Sequence, residues 1–268
     1  MQRILVLSDL HFGLPAKGTP TPAMLRPLWQ DFDQLLLNGD TAELHVPRMC
    51  AQATGDLEAI QQFCEADGVG LSVIAGNHDP FISPLQRCAL IDGRVLVTHG
   101  QSIHRREAPS PVKGQVLEVG DTASLAGRHR FDRTMCERGI EHSRTFMPPE
   151  HELQAPQTLW ASIPWSAAKP FLVLKILRYW KNYPGFADAY RQRVQPDAQI
   201  IIVGHSHRDG IWQFDDCTVL NTGSWTWPGR PQAISIEGTT LRMHAIRVRG
   251  GVAELVTPHR FEIDLAQG

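Results

Sequence analysis

The chain has 268 residues, 42% of them hydrophobic and 20% charged, with a formal net charge of -2 at pH 7. Such a composition can bury enough apolar surface to offset its ordering entropy, which excludes a largely disordered chain. The nearly balanced charge excludes a global electrostatic attraction to nucleic acid, and the length fits one α/β domain over residues 1–268, since such domains reach about 250 residues.

At the N-terminus Ile4-Leu5-Val6-Leu7 is shorter than a signal-peptide core of about 7 to 15 residues, so secretion is not expected. This run ends in Ser8-Asp9. The same pattern recurs at 35–37 before Asn38-Gly39-Asp40, at 71–75 before Gly76-Asn77, at 95–97 before Thr98-His99-Gly100 and at 200–203 before Gly204-His205. Each predicts a buried strand delivering polar residues at its carboxyl end, where open α/β sheets place their ligands. Between the first strands, helical spacing around 23–30 and around 57–67, where Leu57, Ile60 and Phe63 or Cys64 recur, predicts crossover helices. Residues 124–195 lack the strand-to-polar pattern and predict a helical insertion. Within it Lys175, Arg178 and Asn182 at i, i+3, i+7 make a basic or polar face among apolar neighbours such as Phe171, Leu174 and Leu177. Its apolar stretch stops at Lys175, well short of the roughly 18 apolar residues of a membrane-spanning helix. After His207, runs at 211–214, 218–220, 234–236 and 241–248 alternate with turn signals in a β-hairpin pattern. The five cysteines, Cys50, Cys64, Cys88, Cys136 and Cys217, form no C-x-x-C pair, which points to a reducing compartment and to no thiolate metal site.

The chemistry-bearing residues cluster at the strand ends. In an extended segment Asp9 and His11 project to the same side and can grip one cation. Gly39 lets the backbone turn closely, so that the carboxylate of Asp40 can bridge two ions. In Gly76-Asn77-His78-Asp79 an amide oxygen serves as a neutral ligand beside an imidazole able to protonate a leaving group. His99 adds one more imidazole, and Gly204-His205-Ser206-His207 adds two at i, i+2. A lone histidine at a strand end is ordinarily structural, but this ordered set is not a series of independent accidents.

Together D-x-H, G-D, G-N-H-D, H-G and G-H-x-H resemble the signature of the calcineurin-like metallophosphoesterase superfamily, spanning Asp9 to His207. The resemblance implies two facing mixed β-sheets flanked by helices, a four-layer α/β/β/α sandwich, with the metals at one edge. It also implies that Asp9, His11, Asp40 and His207 hold a first divalent ion and that Asp40, Asn77, His99 and His205 hold a second. Two cations about 3.5 to 4 Å apart can bind phosphoryl oxygens while a bridging water loses its proton near neutrality. His78, hydrogen-bonded by Asp79, would stabilise the transition state or protonate the leaving oxygen. Nitrogen and oxygen ligands suit manganese, iron, zinc or nickel, with manganese the working choice.

The insertion is expected to overhang the metals as a lid, and its layout resembles the UDP-diacylglucosamine hydrolases of lipid A synthesis. Those are cytoplasmic enzymes that cleave a pyrophosphate bond at the membrane surface. The stretch Asn221-Thr222-Gly223-Ser224-Trp225 is also similar there, whereas those enzymes typically carry arginine where this chain has His78. The expected location is the cytoplasm, with peripheral contact at the inner membrane surface through the insertion. His104, Arg105, Arg106 and Arg208 are candidates to grip a second phosphate. A soluble phosphodiester or phosphoprotein is the alternative substrate, and a non-catalytic scaffold the alternative function.

Overall fold

The computed structural model describes residues 2–15, 19–103, 131, 133–146 and 170–267. His104, Arg105 and Arg106 lie outside these residues, as do parts of the expected insertion.

Strands β1 (Arg3–Leu7), β2 (Gln34–Asn38) and β3 (Gly70–Ile74) run parallel in that spatial order. The second sheet holds β4 (Arg87–Leu90), β5 (Val95–Thr98), β6 (Ile200–Val203), β7 (Gly210–Gln213) and β8 (Thr218–Asn221), in the order β4-β5-β6-β8-β7. In it β5, β6 and β8 are parallel neighbours, with an antiparallel strand at each edge. The chain then returns to the first sheet, where β9 (Gln232–Glu237) pairs antiparallel with β1. From β9 the sheet continues to β10 (Thr240–Arg249), on which both β11 (Val252–Leu255) and β12 (Phe261–Asp264) pair.

Successive strand side chains point to opposite faces, and this alternation sorts the core into three strata. Ile4, Val6, Leu36 and Ile74 of the first sheet meet Val95, Val97, Ile200 and Ile202 of the second. On the outer face of the first sheet, Leu5, Leu7, Leu35, Leu37 and Val73 pack with helix α2 (Cys50–Asp67) and with Cys136 of α3 (Arg133–Phe146). On the outer face of the second, Leu96, Ile201, Val203 and Val219 pack under Tyr183, Ala187 and Tyr190 of α4 (Pro170–Val194). The result is the four-layer sandwich. A one-residue slip of β1 would exchange the inter-sheet and helix-facing sets, so burial on both faces, about 1.5 to 3 kcal/mol per large aliphatic chain, specifies the register.

Two elements differ from expectation. The helix anticipated at 23–30 is one turn, α1 (Pro22–Leu25), followed by a 3-10 turn at Arg26–Leu28, because Pro27 has no N–H to continue the α-helix. α2 starts at Cys50 rather than near Leu57. Its early turns carry small residues because they press on the chain after β1: a Cβ on Gly13 would lie 2.9 Å from Cβ of Ala53. Of the expected helical insertion, α3 joins the cluster outside the first sheet and α4 the one outside the second. Among the described residues no helix is long and apolar enough to cross a membrane.

Candidate metal centre

At the carboxyl ends of β1, β2 and β6 the backbone leaves the extended region abruptly. Asp9 (φ 52°), His11 (φ 52°), Asp40 (φ 48°), His205 (φ 63°) and His207 (φ 57°) are all left-handed. For residues with a Cβ this costs on the order of 1 to 3 kcal/mol each and persists only where the surroundings over-determine it. Asp9 and His11 are therefore not in an extended segment, as their i, i+2 spacing suggested. They converge because two left-handed kinks flank the buried Leu10. Backbone bonds to the loop after β2 hold those kinks, Asp9 N–H donating to Gly39 O (3.1 Å) and His11 N–H to Asp40 O (3.0 Å).

The structure brings the seven expected ligands to one place. Donor atoms of Asp9, His11, Asp40 and His207 all lie within 4.8 Å of one another, as do those of Asp40, His99 and His205, so Asp40 belongs to both groups. Asn77 Oδ1 lies 2.8 Å from His205 Nδ1. Two glycines make this approach possible. A Cβ on Gly39 would sit 2.4 Å from His99 Cγ, and one on Gly76 2.1 Å from Asp40 Oδ1.

Partners at the edge of the cluster orient two of its rings. His99 Nδ1 donates to Asn38 O (2.9 Å), which leaves Nε2 of the neutral ring with its lone pair aimed inward. That buried Nε2 makes no hydrogen bond, although Asp40 Oδ2 is 3.0 Å away. His11 Nδ1 donates to Glu43 Oε1 (2.7 Å), and its Nε2 faces His207 Nε2 at 3.1 Å, with Asp9 Oδ1 3.3 Å from the latter. Nitrogen and oxygen donors thus crowd one buried spot. Donors bound about 2.1 Å from one ion, roughly at right angles, sit about 3 Å apart, so this set fits divalent cations in nitrogen and oxygen coordination.

Protons register the same concentration of charge. Burial pushes the Asp9 carboxyl up, but His99 and His207 outweigh it and hold it below the usual range. Burial opposes ionisation of Asp40 too, yet His99, His78 and His11 hold it well below. Against its own burial His99 is raised to about 9 by Asp40 and Asp9, while His205 is depressed to about 3 by burial and by His99.

Asp79 does not hold His78. Its buried carboxylate accepts backbone N–H bonds from Gly76 (2.7 Å), Asp40 (3.2 Å), Thr41 (2.7 Å) and Ala42 (3.2 Å), tying the loops after β2 and β3 together. Burial and the nearby Asp40 raise it to about 6, against which the Gly76 and Thr41 N–H groups pull. The partner of the His78 ring is Glu43, whose Oε2 accepts from Nδ1 at 3.0 Å while Oε1 accepts from His11. Sequence reasoning missed Glu43. The available signal was that Asp40 and Glu43 are the only Asp, Glu, Lys or Arg residues between Gln34 and Pro47, a stretch that proves almost wholly buried.

The loop of His205 and His207 is clasped from two sides. Trp180 Nε1 of α4 donates to Ser206 O (2.8 Å), and Tyr183 Oη donates to Gly204 O (3.2 Å). On the other side Asn221 Nδ2 donates to Gly204 O and to Ser206 Oγ, both at 2.9 Å, and Thr226 Oγ1 lies 3.3 Å from His207 Nδ1. Arg208 has structural partners: its Nη1 donates to Trp180 O (3.0 Å) and its guanidinium lies 5.5 Å from the Trp212 ring centroid. That carbonyl is free because Pro184, four residues on within α4, has no N–H to offer it.

The family description "Calcineurin-like phosphoesterase superfamily domain" matches residues 2–242. No curated protein matches the sequence. Similar solved structures include Vacuolar Protein Sorting 29 from Cryptosporidium parvum (12% identity, TM-score 0.47, covering 98% of this chain and 100% of that one). Vps29 from Chaetomium thermophilum is comparable (13%, TM-score 0.47, 98% and 99%), as is the E. coli phosphoesterase YfcE (12%, TM-score 0.42, 98% and 100%).

Proposed function

The chain belongs to the calcineurin-like phosphoesterase superfamily, and from that membership we propose that it hydrolyses a phosphodiester or pyrophosphate bond with two divalent cations, manganese being the first to test. The observation that carries this is the convergence of mostly buried nitrogen and oxygen donors: those of Asp9, His11, Asp40 and His207 lie within 4.8 Å of one another, as do those of Asp40, His99 and His205, with Asp40 in both groups. Asp9, His11, Asp40 and His207 would hold one ion, and Asp40, Asn77, His99 and His205 the other. When bound, the cations supply positive charge to the phosphoryl oxygens and acidity to water at neutral pH.

The protein's own groups then have separable tasks. Asp40 spans both ligand sets, its Oδ1 fixed by the N–H of His78 (2.9 Å), so it sets their spacing. Glu43 holds the Nδ1–H of His78, which turns Nε2 toward the centre, 3.9 Å from Asp40 Oδ2. From there a protonated His78 can deliver its proton to the leaving oxygen. No side chain has to form a covalent phosphoenzyme.

The test is reconstitution. Chelator-stripped protein should take up near two equivalents of manganese and then hydrolyse bis(4-nitrophenyl) phosphate, and Asp40→Asn should abolish turnover. A folded protein that binds no metal and stays inert would favour the scaffold reading.

An amphiphilic substrate, as in the UDP-diacylglucosamine hydrolases that the chain resembles, is supported by α4. Its first turns leave Phe171 86%, Leu174 61% and Leu177 51% exposed, beside Lys175 and Arg178. Faster turnover of a diacylated sugar nucleotide than of its deacylated form is the expected result; equal rates would point to a soluble substrate.

A further inference from the structure

Helix α3 rests on both loops that carry the residues around His78. Gly139 lies against the first: a Cβ there would be 2.6 Å from Leu44 O, and Leu44 follows Glu43. Phe81 belongs to the second, three residues after His78, in the turn where Ile82 N–H donates to Asp79 O (3.0 Å). The close seat of Gly139 fixes the placement of α3, and on either side of that contact the helix brings two side chains to one ring. Arg138 places its guanidinium carbon 4.3 Å from the Phe81 ring centroid, and His142 meets the same ring edge-on at 5.9 Å between centroids.

A guanidinium lying over an aromatic ring has its face occupied and its N–H edge free. Arg138 is exposed, and no carboxylate among the described residues pairs with it. Other arginines of the fold are committed: Arg26 to Asp67, Arg191 to Asp188 and Asp216, Arg242 to Glu262, Arg260 to Asp209. Arg138 is thus an exposed cation held against a ring, with no anionic partner among the described residues, on the helix that abuts the loops of Glu43 and His78. Its geometry suits the bidentate grip that guanidinium makes on phosphoryl oxygens.

Building on the hydrolase reading above, we propose that Arg138, stacked on Phe81, binds a second phosphoryl group of the substrate, the one not attacked at the metal centre. The protein then prefers a diphosphate diester over a diester with a single phosphoryl group. Phe81 acts as a positioning residue by holding the guanidinium plane.

The experiment compares two substrates on the manganese-loaded full chain: UDP-N-acetylglucosamine, a diphosphate diester, and bis(4-nitrophenyl) phosphate, which has one phosphoryl group. Losing a charge-assisted bond to phosphate should lower the ratio of their kcat/KM values about 10- to 100-fold in Arg138→Gln, chiefly through KM for the diphosphate. Phe81→Leu keeps the charge and loses the stack, so it should lower the ratio about two- to fivefold. Should Arg138→Gln melt early, Arg138→Lys, which keeps charge but not the plane, serves in the same comparison and should also lower the ratio. An unchanged ratio in the arginine variants would overturn the proposal. So would a wild-type protein that cleaves the nitrophenyl diester and not the diphosphate, with the hydrolase reading left standing. If the wild type cleaves neither substrate, the hydrolase reading fails and this inference with it.

Discussion

Glu43→Gln tests how the centre is held together. The Glu43 carboxylate is buried and accepts from two rings at once, His11 at 2.7 Å and His78 at 3.0 Å. A glutamine offers one oxygen, and its NH2 must face the other ring N–H, donor against donor. One charge-assisted bond of about 1.5 to 3 kcal/mol is therefore lost, equivalent to about 10- to 100-fold in an equilibrium constant. The same range is typical when an outer partner of a metal-ligating histidine is removed. Titrating manganese calorimetrically into stripped protein should show one of two sites weakened by that factor, because His11 belongs to one ligand set only. The site of His99 and His205 should keep its affinity, since the tautomer of His99 is set by Asn38 O. Turnover of bis(4-nitrophenyl) phosphate should fall as well, because His78 loses its orientation. Unchanged affinity at both sites together with unchanged turnover would refute the role given to Glu43.

Gly76→Ala puts a Cβ 2.1 Å from Asp40 Oδ1 and 2.3 Å from Asp40 N, and a displacement of about 1 Å at the shared carboxylate should cost on the order of 10²-fold in turnover. Gly55→Ala, within α2 and facing open space, should instead raise the melting temperature by about 1 to 4 °C by restricting the unfolded chain. In metal-free protein His99 is raised from 6.5 to about 9, so its contribution to stability is fully present below pH 6.5 and is lost as the pH climbs through about 9. Metal ions need the neutral imidazole, so melting curves with chelator should decline across that window while the shift produced by manganese grows. A manganese shift that shrinks as the pH rises would contradict this.

The loops that bear the site were legible because their signals are local. An apolar run of three to five residues that stops at a polar cluster holding Asp, Asn or His marks a strand end whatever the rest of the chain does, and β1, β2, β3, β5 and β6 all end this way. Other elements were not legible. β4, β11 and β12 are only four residues long, too short for alternation to stand out from chance, and the α2 start is set by contact with Gly13. The hairpin texture after His207 gave no hint that β9 leaves the second sheet to pair with β1 in the first.

What the amino-acid order settles by itself is the set of candidate ligand residues and the strand ends that carry them, because alternation and motif spacing are properties of neighbouring residues. Which carboxylate steers which imidazole was decided by folding. Glu43 and His78 are 35 residues apart and meet only when β2 lies beside β3, while Asp79, adjacent to His78 in sequence, is turned away by four backbone N–H groups that need an acceptor. A buried donor must find a partner wherever the packed chain supplies one, and that requirement is met in three dimensions rather than along the sequence.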